Sequence, residues 1–343
     1  MNLALSMFIS CLSCLFLACF SNIEKIDNEL RKEINMERKV LAFYYTWYGV
    51  PQVSGRWYHW EEGGHSPNDV NEDGYPDFGT TNHPSHGPYD SNDPYAIRRH
   101  LKWCEEAGID GLIATWWGQG QYHDKALKVV LNEAEKSPVK ITVYYEIVPA
   151  NGLNGVVDDF KYILKNYGKH PGFFTVDSRP VIFVYGRAMG QLNKDQWAEV
   201  LKQVKAEYDA IFIADTDSTE LISLFDGGHT YNPVGLVVQQ VDMDQYYQKF
   251  VEKCRSVGKI ACATVIPGYD DSNIGRKHIT VTNRRGGELY KSLWAKAEKS
   301  DPDWILITSF NEWHEGSEIE PSIEHGKLYL TLTRQLAFGF KHK

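Results

Sequence analysis

The feature that most constrains the fold of this chain is a regular alternation of strand-like and helix-like segments beyond residue 38. Apolar runs of strand length lie at 40–45, 111–116, 139–147, 181–185, 210–214, 227–231, 259–265 and 304–309. Amphipathic segments of helical character lie between and after them, at 94–107, 124–136, 156–167, 193–208, 219–224, 244–257, 287–299 and 326–340. Because each strand is followed by a helix, the pattern predicts an α/β fold with a parallel sheet.

The number of strand–helix units favours a closed barrel over an open sheet. Eight units within residues 38–343 match a single (β/α)8 TIM barrel, which typically needs about 250 residues. The alternative, an open doubly wound sheet, is disfavoured because no glycine-rich phosphate loop follows the first strand. The connection after the first strand, at 49–93, is unusually long, and loops of that size in a compact domain are usually functional.

Aromatic and carboxylate side chains cluster at the carboxyl ends of the predicted strands and in the long first loop. In a barrel the strand ends converge on one face, where barrel enzymes hold their active sites. Rings in such loops either seal the loop or offer a flat surface to a ligand such as a sugar. The candidate substrate-binding residues are Tyr45, Trp47, His59, Trp60, Trp117, Glu146, Tyr269 and Asn311.

Two carboxylates, Glu312 and Glu315, directly follow the last predicted strand. In a turn or helical segment, residues three apart face the same side, with Cβ atoms about 5–6 Å apart. Two carboxylates this close resist double ionisation, so one can serve as a general acid and the other as a base or nucleophile. Such a pair can cut a glycosidic bond, and a separation of about 5 Å suits retention of configuration. Asn311 would then hold a sugar hydroxyl or orient Glu312.

Six segments taken together resemble glycoside hydrolase family 99, the endo-α-1,2-mannosidases and endo-α-1,2-mannanases. They are FYYTWYG at 43–49, HW at 59–60, TWW at 115–117, FDG at 225–227, PGYD at 267–270 and SFNEWHEG at 309–316. The resemblance runs collinearly from about residue 38 to residue 340. It implies a (β/α)8 barrel, cleavage with retention, and release of a disaccharide from α-mannosides.

The resemblance also implies roles for individual residues. Glu315 looks like the general acid, and Glu312 looks like a base that acts on the substrate 2-hydroxyl, whose oxygen then attacks the anomeric carbon to give a 1,2-anhydro sugar. Tyr231 looks like an active-site tyrosine, and a substrate-contacting glutamate is expected near Glu146. Trp117 resembles a position that is Trp in bacterial mannanase-type members and Tyr in animal endomannosidases.

These implications point to α-mannan, or another mannose-containing oligosaccharide, as the partner of a monomeric enzyme. Two alternatives stay open: hydrolysis of glucosylated high-mannose N-glycans, and a carbohydrate-binding protein or other glycan hydrolase built on the same barrel. A nucleic-acid partner is excluded by the net charge of −9 and by the lack of a basic cluster.

No redox or organic cofactor is expected, but one segment of the long first loop is rich in oxygen ligands. Its spacing matches the first part of a calcium loop, with Gly74 at the sixth position and Thr80 where a bidentate glutamate is usual. The segment is therefore either a structural calcium site or a solvated acidic turn. Its candidate ligands are Asp69, Asn71, Asp73 and Asp77.

The N-terminus carries an uncharged, mostly apolar stretch at 3–20 that is typical of an export signal. Residues 17–19, Leu-Ala-Cys, resemble a lipoprotein cleavage site that would leave a lipid on Cys19. An uncleaved membrane anchor is the alternative, because the stretch is near the lower length limit of a spanning helix. We predict a signal at 1–20, a tether at 21–37 and an exported, periplasmic or cell-surface catalytic domain.

Overall fold

The structure, a computed structural model, describes residues 37–343. The predicted signal at 1–20, the lipid-accepting Cys19 and all but the last residue of the tether at 21–37 lie outside the described residues. The signal, the lipidation of Cys19 and the tether therefore stay predictions. No helix within 37–343 has both the length and the apolar character needed to span a membrane.

Eight parallel strands form a closed barrel. They are β1 (Lys39–Tyr44), β2 (Gly111–Trp116), β3 (Lys140–Tyr145), β4 (Arg179–Val184), β5 (Ile211–Asp215), β6 (Gly227–His229), β7 (Ile260–Val265) and β8 (Trp304–Ile307). Each pairs in parallel with its neighbours in chain order. The barrel closes where β1 pairs with β8, in a register that sets Lys39 opposite Trp304 and Ala42 opposite Ile307. The (β/α)8 prediction is confirmed.

A helix follows each strand. They are α1 (Pro94–Glu106), α2 (Tyr122–Ala134), α3 (Leu153–Asn166), α4 (Lys194–Lys205), α5 (Thr219–Ile222), α6 (Met243–Ser256), α7 (Glu288–Lys299) and α8 (Leu328–Lys341). Helix α5 is a single turn, capped by the Ser218 side chain. Most of the sixteen elements begin and end within a few residues of the predicted bounds. Strands β3, β6 and β8 are shorter than predicted, so Glu146, Tyr231 and Ser309 lie beyond the ends of their strands.

Local sequence explains why these elements begin where they do. Asp93 caps α1 by accepting a hydrogen bond from the Tyr95 amide, and Pro94 stands at the first helical position. All six residues of β2 are buried, as expected for a parallel strand covered on both faces. Full burial of a side chain such as Leu112 contributes about 1.5–3 kcal/mol, so the barrel wall and its helices supply the core.

Short extra elements decorate the barrel, most of them in the loops that follow the strands. Helical turns lie at Pro51–Ser54, Glu62–Gly64, Gly186–Met189, Val234–Val238, Ser272–Ile274 and Arg285–Gly287. A two-residue strand, Thr175–Val176, pairs antiparallel with the start of β4. After β7, Tyr269–Asp270 and Val281–Thr282 form a small antiparallel hairpin.

The long first loop packs on its own aromatic cluster. The Trp60 ring lies 4.4 Å from Tyr48 and 5.0 Å from Phe78, measured between centroids, and its indole nitrogen donates to the Tyr89 carbonyl oxygen at 3.0 Å. The loop is also bonded to the chain after β8, where His83 Nδ1 lies 2.8 Å from Glu324 Oε1. These contacts fix a connection that would otherwise be too long to hold one conformation.

The calcium interpretation of this loop stays a prediction. Asn71 Oδ1 already accepts hydrogen bonds from the Asp73 and Tyr75 amides, and Asp77 accepts from His65 and from the Ser66 amide. No group of three or more His, Cys, Asp or Glu within residues 37–343 is arranged to hold a metal ion. The four predicted ligands, Asp69, Asn71, Asp73 and Asp77, lie in a turn that is closed by backbone hydrogen bonds such as Gly74 N to Asn71 O at 3.0 Å.

Candidate active site

A cavity of about 220 Å³ opens at the carboxyl ends of the strands. Every strand except β5 contributes to it, either directly or through the loop that follows. Its walls combine carboxylates with aromatic rings and two arginines. The lining residues are Tyr45, Trp47, His59, Glu62, Trp117, Tyr144, Glu146, Tyr185, Arg187, Tyr231, Ile274, Arg276, Glu312, His314 and Glu315.

The loop after β8 turns both predicted catalytic carboxylates into this cavity. The Glu312 amide donates to Ser309 Oγ at 2.7 Å, and the Ser309 amide donates to the Ser317 carbonyl oxygen at 2.8 Å. Gly316 follows Glu315 with φ +51°, and a Cβ there would lie 2.9 Å from Thr81 Oγ1. Only glycine fits such a position without strain. The turn therefore sets Glu312 and Glu315 side by side at the cavity floor, as the sequence predicts.

Glu312 is the more deeply buried of the two, with 2% of its surface exposed. Burial, and then the negative charge of Glu315, raises the pKa of Glu312 well above its ordinary value. The nearest ring is His314, whose Nδ1 lies 3.4 Å from Glu312 Oε1. His314 Nε2 donates to the His59 carbonyl oxygen at 2.6 Å, and burial lowers the pKa of the ring. A neutral His314 thus presents a lone pair, not a charge, to Glu312.

Glu315 has different surroundings. Its Oε1 accepts from Arg276 Nη2 at 3.0 Å, and its Oε2 lies 3.5 Å from the Tyr231 hydroxyl. The Tyr231 hydroxyl in turn shares a short hydrogen bond with the Tyr45 hydroxyl. Burial, then the charges of Glu315 and Glu312, raises the pKa of Tyr231 well above its ordinary value, so the phenol stays protonated as a donor. The two carboxylates are therefore chemically distinct: one neighbours a neutral imidazole, the other a guanidinium and a phenol.

A third carboxyl group, Glu146, lines the opposite side, just after β3. Burial raises its pKa to about 8, and the nearby Arg187 only partly opposes the shift. Glu146 is therefore mostly protonated at neutral pH and can both donate and accept hydrogen bonds. Arg187 lies with its guanidinium carbon 4.9 Å from the centre of the Trp117 ring and 5.4 Å from that of Tyr185. This cation–π contact holds the Trp117 ring in place.

An aromatic wall stands beside the carboxylates. Trp47 stacks on His59 with ring centroids 4.6 Å apart and an interplanar angle of 12°, and it also contacts Tyr45 at 4.5 Å. Burial lowers the pKa of His59 to about 3, so its ring is uncharged at neutral pH. An uncharged, flat wall next to carboxyl groups suits a polyhydroxylated ring, which needs both an apolar face and hydrogen-bonding partners.

Three predicted substrate-binding residues do not reach the cavity. Trp60 lies in the first-loop core described above, and Asn311 is fully buried. Asn311 Oδ1 accepts from the Tyr45 amide at 2.7 Å, and its Nδ2 donates to the Tyr45 carbonyl oxygen at 3.0 Å. Tyr269 is 5% exposed, and its hydroxyl donates to Asp271 Oδ2 at 3.3 Å and accepts from Arg276 Nη1 at 2.7 Å. In this structure the three residues support the loops that form the site, and their contact with a substrate stays a prediction.

The structure also adds residues that sequence reasoning missed. Tyr144 and Tyr185 line the cavity from β3 and from the end of β4. Both lie near the carboxyl ends of predicted strands, so the sequence could have indicated them. Asp215, at the end of β5, lies behind them: it accepts from the Gly186 amide at 2.9 Å and from the Tyr231 amide at 3.2 Å. Burial raises the pKa of Asp215 to about 6. His314 was also missed, although it lies between the two predicted carboxylates in the motif after β8. The remaining missed lining residues come from loops with no distinguishing motif; they are Glu62, Arg187, Ile274 and Arg276.

Comparison with known proteins gives one consistent answer. A family profile described as Glycosyl hydrolase family 99 matches residues 35–332. A glycoprotein endo-alpha-1,2-mannosidase of Rattus norvegicus is 30% identical over 336 residues, covering 85% of this chain and 71% of its own. A glycoprotein endo-alpha-1,2-mannosidase-like protein of Homo sapiens is 28% identical, covering 87% and 75%. The solved GH99 endo-alpha-mannosidase of Bacteroides thetaiotaomicron superposes with a TM-score of 0.77 at 27% identity, covering 88% of this chain and 97% of that one.

Proposed function

The chain belongs to Glycosyl hydrolase family 99, and from that premise we propose that it is a retaining, endo-acting enzyme that cleaves α-1,2-mannosidic linkages in α-mannan and releases a disaccharide. The family makes the chain a glycoside hydrolase of the endo-α-mannosidase type. The observation that carries the finer proposal is the pair Glu312 and Glu315, which share one cavity but have different neighbours.

In the proposed reaction the two carboxyl groups act on different atoms of the substrate. Glu315 donates its proton to the glycosidic oxygen, and Glu312 takes the proton of the 2-hydroxyl. The 2-oxygen attacks the anomeric carbon from the face opposite the leaving group, the anomeric carbon–oxygen bond breaks, and a 1,2-anhydro sugar results. This route suits an α-mannoside because its 2-oxygen lies trans to the leaving group.

The second half returns both protons. Ionised Glu315 takes a proton from a water molecule, whose oxygen attacks the anomeric carbon and opens the three-membered ring. The 2-oxygen recovers its proton from Glu312. Two successive inversions give net retention, and both carboxyl groups end in the states in which they began.

The surroundings of Glu312 support its role as a base. Burial raises the pKa of Glu312, so the ionised form that the reaction requires is a strong proton acceptor for the 2-hydroxyl. His314 Nδ1, held as an acceptor by the Nε2 bond to the His59 carbonyl, faces the oxygen that would carry the new proton. The protonated Glu312 of the intermediate therefore has a partner in place.

The substrate proposal depends on Trp117. Its large apolar face, held by Arg187, lines the cavity and would lie against a second mannose on the non-reducing side of the cleaved bond. The relatives named as animal endo-alpha-1,2-mannosidases favour a second candidate, glucosylated high-mannose N-glycans. The two candidates differ in the sugar that must fit against residue 117.

Mass analysis of released products tests the proposal. The wild-type protein is incubated with yeast α-mannan and, separately, with glucosylated mannose oligosaccharides. We expect a disaccharide of two mannoses from the mannan. Release of a glucose–mannose disaccharide alone would select the second candidate, and no release from either would refute the mannoside specificity. A matched Trp117→Tyr variant should shift the product ratio toward the glucosylated substrate.

A further inference from the structure

Arg276 lies on the loop after β7 and bonds directly to a carboxylate of the proposed catalytic pair. Its Nη2 donates to Glu315 Oε1 at 3.0 Å. Its Nη1 donates to the Tyr269 hydroxyl at 2.7 Å and to Asp271 Oδ2 at 3.0 Å. The guanidinium thus bridges the reacting group and a separate anchor.

The two attachments can break independently because they use different nitrogens. Asp271 is 2% exposed and is fixed by the Thr280 amide, which donates to its Oδ1 at 2.7 Å. If the bond to Glu315 is lost, the bonds through Nη1 can still keep Arg276 at the rim. Asp271 is therefore a stable holding point for the guanidinium in either position.

The segment that carries Arg276 lies on the surface of the protein. Residues 275–279 are all exposed. Before them, Asn273 anchors the loop by donating to the Phe78 and Thr80 carbonyl oxygens at 3.2 and 2.8 Å. Gly275, with φ +66°, follows that anchor, and nothing lies within 4 Å of the Cβ position there. The chain is thus held up to Ile274, whose Cα would lie 2.8 Å from a Cβ at Gly63, and it is exposed from Gly275 to Ile279.

The bond from Arg276 conflicts with the reaction proposed for Glu315. A general acid must aim a protonated oxygen at the glycosidic oxygen, within about 2.6–3.2 Å. One Glu315 oxygen accepts from the Arg276 guanidinium, and while that bond lasts this oxygen cannot carry the proton that is to be donated. The side chain is also 16% exposed, so a ligand entering the cavity can reach it.

We propose that Arg276 is a substrate-displaced guard: it pairs with Glu315 while the cavity is empty and withdraws onto Asp271 when the glycan enters, which frees Glu315 to donate its proton. Arg276 is a positioning residue that acts through Glu315. The inference rests on the proposed function for the reaction that Glu315 performs, but the ion pair itself does not depend on which sugar is cleaved.

The cost of displacing the guard is small, as a working enzyme requires. The Arg276 side chain is 42% exposed, and ion pairs at such sites contribute about 0.2–1 kcal/mol. That range corresponds to a change of roughly 1.4- to 5-fold in affinity. A ligand that competes with Arg276 for Glu315 should therefore bind a few-fold more tightly once the guanidinium is gone.

A cationic probe tests the guard without reference to mannose. Binding of bis-tris propane, a hydroxylated diamine, is measured by calorimetry for the wild type, Arg276→Ala and Lys277→Ala. Lys277 is the exposed neighbour on the same loop and controls for the loss of one positive charge. We expect Arg276→Ala to bind the amine about two- to five-fold more tightly than Lys277→Ala does. Equal or weaker binding, or no binding by Arg276→Ala, overturns the proposal.

Steady-state kinetics with a substrate distinguish failure of the Arg276 proposal from failure of the proposed function. With an α-1,2-linked manno-oligosaccharide, Arg276→Ala should lower KM by a similar factor, and kcat should change by a smaller factor than KM, because the guanidinium has already left Glu315 before the chemical step. A fall in kcat of tenfold or more at unchanged KM would mean that Arg276 acts on the bound substrate, which refutes the guard. If the wild type cleaves no mannoside, the proposed function fails, and the amine experiment alone decides the guard. Arg276→Gln, checked by its melting temperature, replaces the alanine variant if that variant does not fold.

Discussion

Replacing Glu146 by Gln should remove a pH-dependent loss of stability. The side chain is 3% exposed, and burial raises its pKa from 4.5 to about 8. In the unfolded chain the group ionises near pH 4.5, whereas in the folded protein it holds its proton to about pH 8. Its contribution to stability is therefore fully present below pH 4.5 and is lost as pH rises toward 8.

The size of the effect follows from the shift. At 1.36 kcal/mol per pKa unit, the difference between the two states at pH 8 is about 4 kcal/mol. Glutamine is close in size to the protonated acid and cannot ionise. The variant should therefore match the wild type at pH 4.5 and exceed it by roughly 3–5 kcal/mol at pH 8.

Denaturant unfolding at a series of pH values measures this difference. Because Asp215 and Glu318 also have raised pKa values, the wild type and every variant will lose stability over part of this range. The test is thus the difference between the wild type and Glu146→Gln, which should grow steadily from pH 5 to pH 8. A constant difference across that range would refute the claim that Glu146 is protonated in the folded protein.

Further expectations concern the catalytic pair, the loop that carries it and the acidic turn. Glu312→Gln and Glu315→Gln should each lower turnover by about 10²–10⁴-fold while still binding oligosaccharide by calorimetry, and near wild-type turnover in either would contradict the assignment. Arg284→Met should destabilise the fold by about 3–5 kcal/mol in denaturant unfolding, because the buried Arg284 donates to Glu318 Oε1 at 2.6 Å and to the Gly316 carbonyl oxygen at 2.9 Å. Replacement of the exposed neighbour, Arg285→Met, serves as the control. Equal stability of the two variants would contradict the prediction. Because Asn71 Oδ1 and the Asp77 carboxylate already accept hydrogen bonds, addition of calcium to chelator-treated protein should leave the melting temperature unchanged, whereas a rise would support the calcium interpretation of the first loop.

The sequence was sufficient for the barrel because the periodic pattern of a buried strand is local. Each apolar run, such as 111–116, could be read on its own, and the order of the runs then fixed the topology. The same reasoning located the cavity, since the ends of parallel strands must meet. Glu312, Glu315 and Trp117 were predicted at this face, and the structure brings them to one cavity.

The direction of side chains in loops was beyond such reasoning. Trp60 stands beside His59 in sequence, yet His59 faces the cavity and Trp60 faces the core. A loop has no fixed period from which to assign faces, so neighbours in a motif were given one role. Arg276 illustrates the opposite case, because an arginine in an exposed loop carries no signal until its distance to Glu315 is known.

The bonds between Asn311 and the Tyr45 backbone join residues that are 266 positions apart. Closing a loop of that length costs on the order of 5 kcal/mol in chain entropy by the logarithmic law, and it requires every residue from Tyr45 to Asn311 to have been synthesised. During synthesis the backbone of Tyr45 therefore lacks its Asn311 partner until the segment after β8 has left the ribosome. Catalytic competence is therefore acquired only after the residues that follow β8 have been made, so a chain that stops before them can hold seven barrel strands and still lack a functioning active site.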